Sequence, residues 1–110
     1  MYGSSGNGRG LRKRKIMNCN SFTYTDHAVN RLFNRSIEIE DVEIVVSSGT
    51  IIENYPTDKP YPSCLILGFV GLRPIHVVIG KNPNGACVVI TAYEPNLMKW
   101  EVNFITKKIN

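Results

Sequence analysis

Two histidines, a row of arginines and one tyrosine carry most of the chemistry this sequence can offer. His27, Arg31 and Arg35 stand at i, i+4 and i+8, a spacing that draws one nearly straight polar row on a helix. Histidine titrates near neutral pH and can take or give a proton, while arginine presents a bidentate fork to a phosphate. A phosphate held between His27 and Arg31 is one reading of this row. In the other, His27 pins the helix start and Arg31 pairs with a carboxylate such as Asp58. Arg35 is either a further ligand contact or a solvated, salt-bridged residue. His76 lies inside the apolar run Pro74-Ile75-His76-Val77-Val78, where a histidine is either a satisfied core residue or a general acid or base. Tyr93 precedes Glu94-Pro95, so its ring either closes the edge of the core or offers a hydroxyl to a phosphate. The loop Tyr55–Ser63 sets Tyr55, Asp58, Lys59 and Tyr61 among three prolines, which either hold binding groups or simply stiffen the connection. Lys107, with Lys108, is a phosphate contact or a solubilising charge.

Helices and strands must position these groups. Thr25 or Asp26 can cap a first helix in which Ala28, Val29, Leu32 and Phe33 form an apolar arc. His27, Asn30, Arg31, Asn34 and Arg35 fill the opposite arc. A second helix is expected from about Glu40 to Ser48, with acidic residues at its positive end and Gly49 to stop it. The pattern then turns to strands over Thr50–Tyr55, Ser63–Val70, Pro74–Ile79 and Ala86–Tyr93. Hairpin-length turns at Gly71–Arg73 and Lys81–Gly85 make at least the later strands antiparallel. Alternation along 74–79 places His76 with Val78, on the face opposite Ile75, Val77 and Ile79. After Pro95, Asn96 can cap a short last helix bearing Leu97, Trp100 and Phe104, the two aromatics acting as core anchors. The order predicts an α+β domain with two helices on one face of the sheet.

Composition narrows the classes. A chain of 110 residues can bury one core and is too short for two ordinary domains. Its net charge of +4 is deceptive, because five of its thirteen basic residues (Arg9, Arg12, Lys13, Arg14 and Lys15) lie in an acid-free N-terminal stretch. Residues 1–19 therefore read as a flexible basic leader, and residues 20–110 as a nearly neutral domain with order beginning near Phe22. The leader is either a basic arm for nucleic-acid phosphates or an extension ahead of a start at Met17. No apolar run is long enough to span a bilayer, and none follows the basic stretch as a secretory signal requires. Cys19, Cys64 and Cys87 lack metal-ligand spacing, so no metal is expected, and reduced thiols in the cytoplasm fit an odd, scattered set.

Four stretches stand out together: Tyr24-Thr25-Asp26-His27-Ala28 with Arg31 and Arg35, Tyr55-Pro56-Thr57-Asp58-Lys59-Pro60-Tyr61-Pro62-Ser63, Pro74–Val78, and Ile90–Pro95 with Trp100 and Phe104. In these motifs the sequence resembles a domain family of unknown function whose members often stand beside zinc-finger antitoxins of the MqsA kind. The resemblance covers roughly residues 24–108. That family is similar to the RelE/ParE and BrnT toxin superfamily. The likeness implies a RelE-like α+β fold: two N-terminal helices on a curved antiparallel sheet of about four strands, and a short C-terminal helix. It also implies a cytoplasmic toxin of a type II toxin–antitoxin system, with a cognate antitoxin and RNA as partners, no membrane and no cofactor. Many of those toxins cut single-stranded messenger RNA without metal, and others poison gyrase. On that reading His76 is the acid or base, Arg31 the phosphate clamp, and His27 and Tyr93 assist. Arg35, Tyr55, Asp58 and Lys107 would contact substrate. The dense basic surface of the ribosome-bound branch is missing, which argues against ribosome dependence. The alternative is a toxin-like interaction module without enzymatic activity.

Overall fold

A computed structural model describes residues 18–109, so residues 1–17 of the expected leader lie outside the described residues. Within them the chain is α+β. The elements are β1 (Ser21–Tyr24), α1 (Asp26–Asn34), α2 (Ile39–Ser48), β2 (Thr50–Tyr55), β3 (Ser63–Val70), β4 (Arg73–Lys81) and β5 (Ala86–Tyr93). They build one sheet in the order β1-β5-β4-β3-β2. The expected four-stranded antiparallel sheet is thus corrected to a five-stranded mixed one. Ser21-Phe22-Thr23-Tyr24 alternates exposed and half-buried side chains and pairs parallel with Ala86–Val89. Four alternating residues are too few to stand out as a strand in sequence, and their pairing is set by a partner 65 residues away.

Local chemistry explains the element boundaries. The Thr25 hydroxyl accepts the Ala28 N–H at 3.0 Å and starts α1, while Asp26 favours its positive end. Asp41 accepts the Glu38 N–H at 2.9 Å at the start of α2, and the chain leaves that helix at Gly49. Between β3 and β4 the loop is Gly71-Leu72, with Gly71 at φ 63°, a conformation open to glycine in a tight hairpin turn.

Both helices pack on one face of the sheet. Ala28 and Leu32 of α1 and Val42, Val45 and Val46 of α2 cover Ile75, Val77 and Ile79 of β4, with Ile66 and Val89 beside them. Each of the Val, Leu and Ile side chains contributes roughly 1.5–3 kcal/mol by leaving water, and Ala28 less. A Cβ at Gly68 would stand 2.9 Å from the Val45 side chain, so glycine is what lets α2 lie this close to β3. The arc expected on α1 is narrower than its sequence indicates. Ala28 and Leu32 are buried, yet Val29 is 47% and Phe33 83% exposed. Positions one step round the helix from 28 and 32 fall beyond the stripe that meets the sheet.

The expected last helix is absent. Asn96 accepts the N–H groups of Met98 and Lys99, and the chain then doubles back. The N–H of Glu101 bonds the Thr106 carbonyl and that of Lys108 the Lys99 carbonyl, each at 2.8 Å, while Asn103 accepts from Ile105 and Thr106. Phe104 takes φ 59° at the bend. Asparagine side chains here compete for the backbone donors a helix would need. This returning segment covers the second face of the sheet, where Trp100 is buried against His76.

The cysteines also depart from expectation. Cys19 and Cys87 form a disulfide across 68 residues, and Cys64 alone is free and buried. The parallel pairing of β1 with β5 brings the two sulfurs together, which no sequence spacing reveals. Order accordingly begins before Phe22: the Asn20 N–H bonds the Gly85 carbonyl and its amide the Asn84 carbonyl. Among the described residues no helix is long and apolar enough to cross a membrane.

Candidate functional site

On the second face of the sheet β3, β4 and β5 align Leu67, His76 and Tyr93 in one cross-strand row. His76 is fully buried there, and both of its nitrogens are engaged. Nε2 lies 2.8 Å from the Phe104 carbonyl, which can only accept, so Nε2 carries the proton. Nδ1 is then an acceptor, and the Tyr93 hydroxyl donates to it over 3.2 Å. The imidazole and the Trp100 ring stand perpendicular, with centroids 4.5 Å apart. Burial pushes His76 below its ordinary pKa of 6.5, against the upward pull of the Phe104 carbonyl. Burial raises Tyr93 above 10.0, helped by the Tyr55 phenol and opposed by the Arg35 guanidinium. The pair is therefore neutral near pH 7, with a defined direction of proton donation.

Tyr93 opens onto a cleft of about 490 Å³ between the end of α1 and the returning C-terminal segment. Arg35, Arg73, Lys99 and Lys107 bring four cations to its walls, against the single carboxylate of Glu94. Beyond β1 the outer edge of β5 has no strand partner among the described residues. Arg35 occupies that edge, donating through Nη1 to the Ala92 carbonyl at 2.7 Å and to Thr91 Oγ1 at 3.3 Å. Arg73 is the organiser of this corner. Its Nε meets Glu94 Oε1 at 2.8 Å, and its two terminal nitrogens reach the carbonyls of Ser36 and Arg35 at 2.8 and 2.9 Å. The turn that carries Arg35 is thereby tied to the end of β5. Lys107 lies with its Nζ 5.8 Å from the centre of the Trp100 ring.

Of the residues expected from sequence, Tyr93, Arg35 and Lys107 line this cleft, and His76 lies buried behind it, joined to it through the Tyr93 hydroxyl. His27 and Arg31 do neither. They bond each other, Arg31 Nη2 to His27 Nε2 at 3.0 Å, on the outer side of α1. Asp58 is no partner of Arg31, because it instead accepts the Ser63 hydroxyl and closes its own loop. Tyr55 is placed on the second face by its pairing with Ser63, outside the lining of the cleft. Burial, then Glu53 and Asp58, raise its pKa.

Arg73, Glu94 and Lys99 escaped notice in sequence. Extending the antiparallel register from His76↔Tyr93 sets Arg73 opposite Asn96 and diagonal to Glu94 on the same face, within reach of a long side chain. Lys99 had no such signal, since it depends on how the C-terminal segment folds back. Among the described residues no three or more His, Cys, Asp or Glu side chains gather into a metal-binding group.

A model of a family described as a domain of unknown function (DUF4258) matches residues 24–94, and the chain belongs to that family. The matched span contains Arg35, Arg73, His76, Tyr93 and Glu94, and ends before Lys99 and Lys107. No curated protein and no solved structure matches the chain.

Proposed function

We propose that the chain is the toxin of a type II toxin–antitoxin system, RelE-like in fold, and that its cleft cuts single-stranded RNA without a metal ion. The observation that carries this reading is the Tyr93 hydroxyl, hydrogen-bonded to a buried neutral His76 at the wall of a cationic cleft. Cleavage within RNA needs a base for the 2′-OH, donors for the crowded phosphorane and an acid for the leaving 5′-oxygen. In the proposed step the 2′-oxygen attacks phosphorus as its proton passes to the Tyr93 oxygen, and the Tyr93 proton passes to His76 Nδ1. Arg35 and Lys107 stabilise the extra negative charge on the phosphate oxygens. Lys99 protonates the 5′-oxygen as the P–O5′ bond breaks, leaving a 2′,3′-cyclic phosphate and a free 5′-OH. The bond from His76 Nε2 to the Phe104 carbonyl supports the imidazolium while it exists. On this arrangement Arg35 takes the clamping role that the sequence assigned to Arg31, and His27 has no part.

The test is purified protein incubated with RNA in EDTA, with and without ribosomes. Cyclic phosphate ends are the expected product, and intact RNA under every condition sinks the proposal.

A second reading, that of a non-enzymatic interaction module, is favoured by α1. Val29, Phe33, Ile37 and Ile39 line a shallow apolar groove with Phe33 almost wholly exposed, a surface suited to a protein partner such as an antitoxin. Growth inhibition on induced expression that survives combined loss of His76, Tyr93 and Arg35 supports this reading over the first.

A further inference from the structure

A carboxylate in a cleft for phosphate needs a reason, because it repels the ligand that the surrounding cations attract. Glu94 is half-exposed within the cleft, and Arg73 engages only its Oε1. Among the described residues no donor lies within hydrogen-bond distance of Oε2. Arg73 is itself held by the carbonyls of Arg35 and Ser36, so it offsets the charge of Glu94 and fixes the direction of its carboxylate. What remains is a positioned, solvent-open acceptor that a ligand can engage with N–H groups in place of water.

The four RNA bases differ in whether they can do so. The pairing edge of guanine carries two adjacent donors, N1–H and N2–H, which match the two oxygens of a carboxylate. Adenine and cytosine place a ring acceptor beside their amino group, and uracil flanks its N3–H with two carbonyl oxygens. Against a carboxylate each of those three sets a lone pair facing a negative charge. Recognition by two parallel bonds discriminates by about tenfold or more.

We propose that Glu94 selects guanine in the single-stranded RNA held by this cleft. The inference rests on the RNA reading above and adds to it the base that the site prefers. It is tested with four fluorescent 2′-O-methyl pentanucleotides that cannot be cut, identical except for a central G, A, C or U. Anisotropy titration of the whole protein is expected to show the guanine oligonucleotide binding about tenfold tighter than the others. Glu94→Gln, which replaces one acceptor oxygen by a donor, is expected to bring the four within about twofold. Equal binding by the unaltered protein, or a guanine preference that survives Glu94→Gln, overturns guanine selection while leaving the RNA reading intact. Binding of none of the four overturns guanine selection, and intact RNA in the cleavage assay, with and without ribosomes, overturns the RNA reading as well. Where the protein cuts long RNA, cleavage sites without enrichment of guanine count against Glu94 alone.

Discussion

The Tyr93 hydroxyl and His76 Nδ1 are joined across adjacent strands at 3.2 Å, and the Phe104 carbonyl on the far nitrogen decides which of them donates. Tyr93→Phe removes the donor and leaves a buried acceptor without a partner. That substitution should cost about 1–3 kcal/mol of stability and, if RNA is cut as proposed, about a hundredfold in rate. Chemical denaturation and a cleavage assay at saturating RNA separate the two effects. Cleavage by Tyr93→Phe at the unaltered rate would remove Tyr93 from the mechanism.

The same pair sets a pH dependence. His76 has a lower pKa folded than unfolded, so in acid the unfolded chain binds a proton that the folded protein resists. The stability this contributes is complete above about pH 6.5 and is lost as the pH falls through the folded pKa. Urea midpoints should therefore decline below pH 6.5, and His76→Gln should flatten that decline. Cleavage should fall on the same acidic side, because protonated His76 cannot accept from Tyr93.

Arg73 should prove less replaceable than its position at a strand start implies. Arg73→Ala removes the Glu94 ion pair and both carbonyl contacts, at a cost of about 1–3 kcal/mol given that the pair is partly exposed to solvent. Arg73→Lys should recover little of this, since an ammonium cannot serve three diverging acceptors in one plane. Full recovery of the thermal midpoint by lysine would show that charge alone matters.

The Cys19–Cys87 bond closes a loop of 68 residues, for which chain entropy predicts about 4 kcal/mol of stabilisation. Reduction should lower the denaturation midpoint accordingly. Without reductant, alkylation and mass spectrometry should find no reactive thiol in the native protein and one, Cys64, on unfolding. Burial pushes the Cys64 thiol up to about 11, which adds to its inertness. Three alkylated cysteines without prior reduction would contradict the disulfide.

Local patterns in the sequence revealed much of this architecture. The caps, both helices, the Gly71 turn and strands β2 to β5 follow from short-range signals, and alternation correctly placed His76 opposite Ile75, Val77 and Ile79. Long-range pairings were not legible. Strand β1 and the disulfide depend on a parallel partner far along the chain, and the C-terminal segment follows asparagine side chains and a bend at Phe104 rather than any periodicity. The candidate site shows the same division. His76, Tyr93, Arg35 and Lys107 stood out by type, while Arg31 misled because its helical neighbour His27 satisfies it. Glu94 and Arg73 become diagonal neighbours on one face once the hairpin register is extended.

The pairing of β1 with β5 also constrains the order of events during synthesis. Residues 21–24 have no place in the sheet until residues 86–89 follow them from the ribosome, so β1 waits longer for its partner than any of the hairpin strands β2 to β5. Until then the outer edge of β5 lacks its neighbour. Strands β2 to β5 can meet their hairpin neighbours as they emerge, whereas β1 joins the sheet only once β5 has been made.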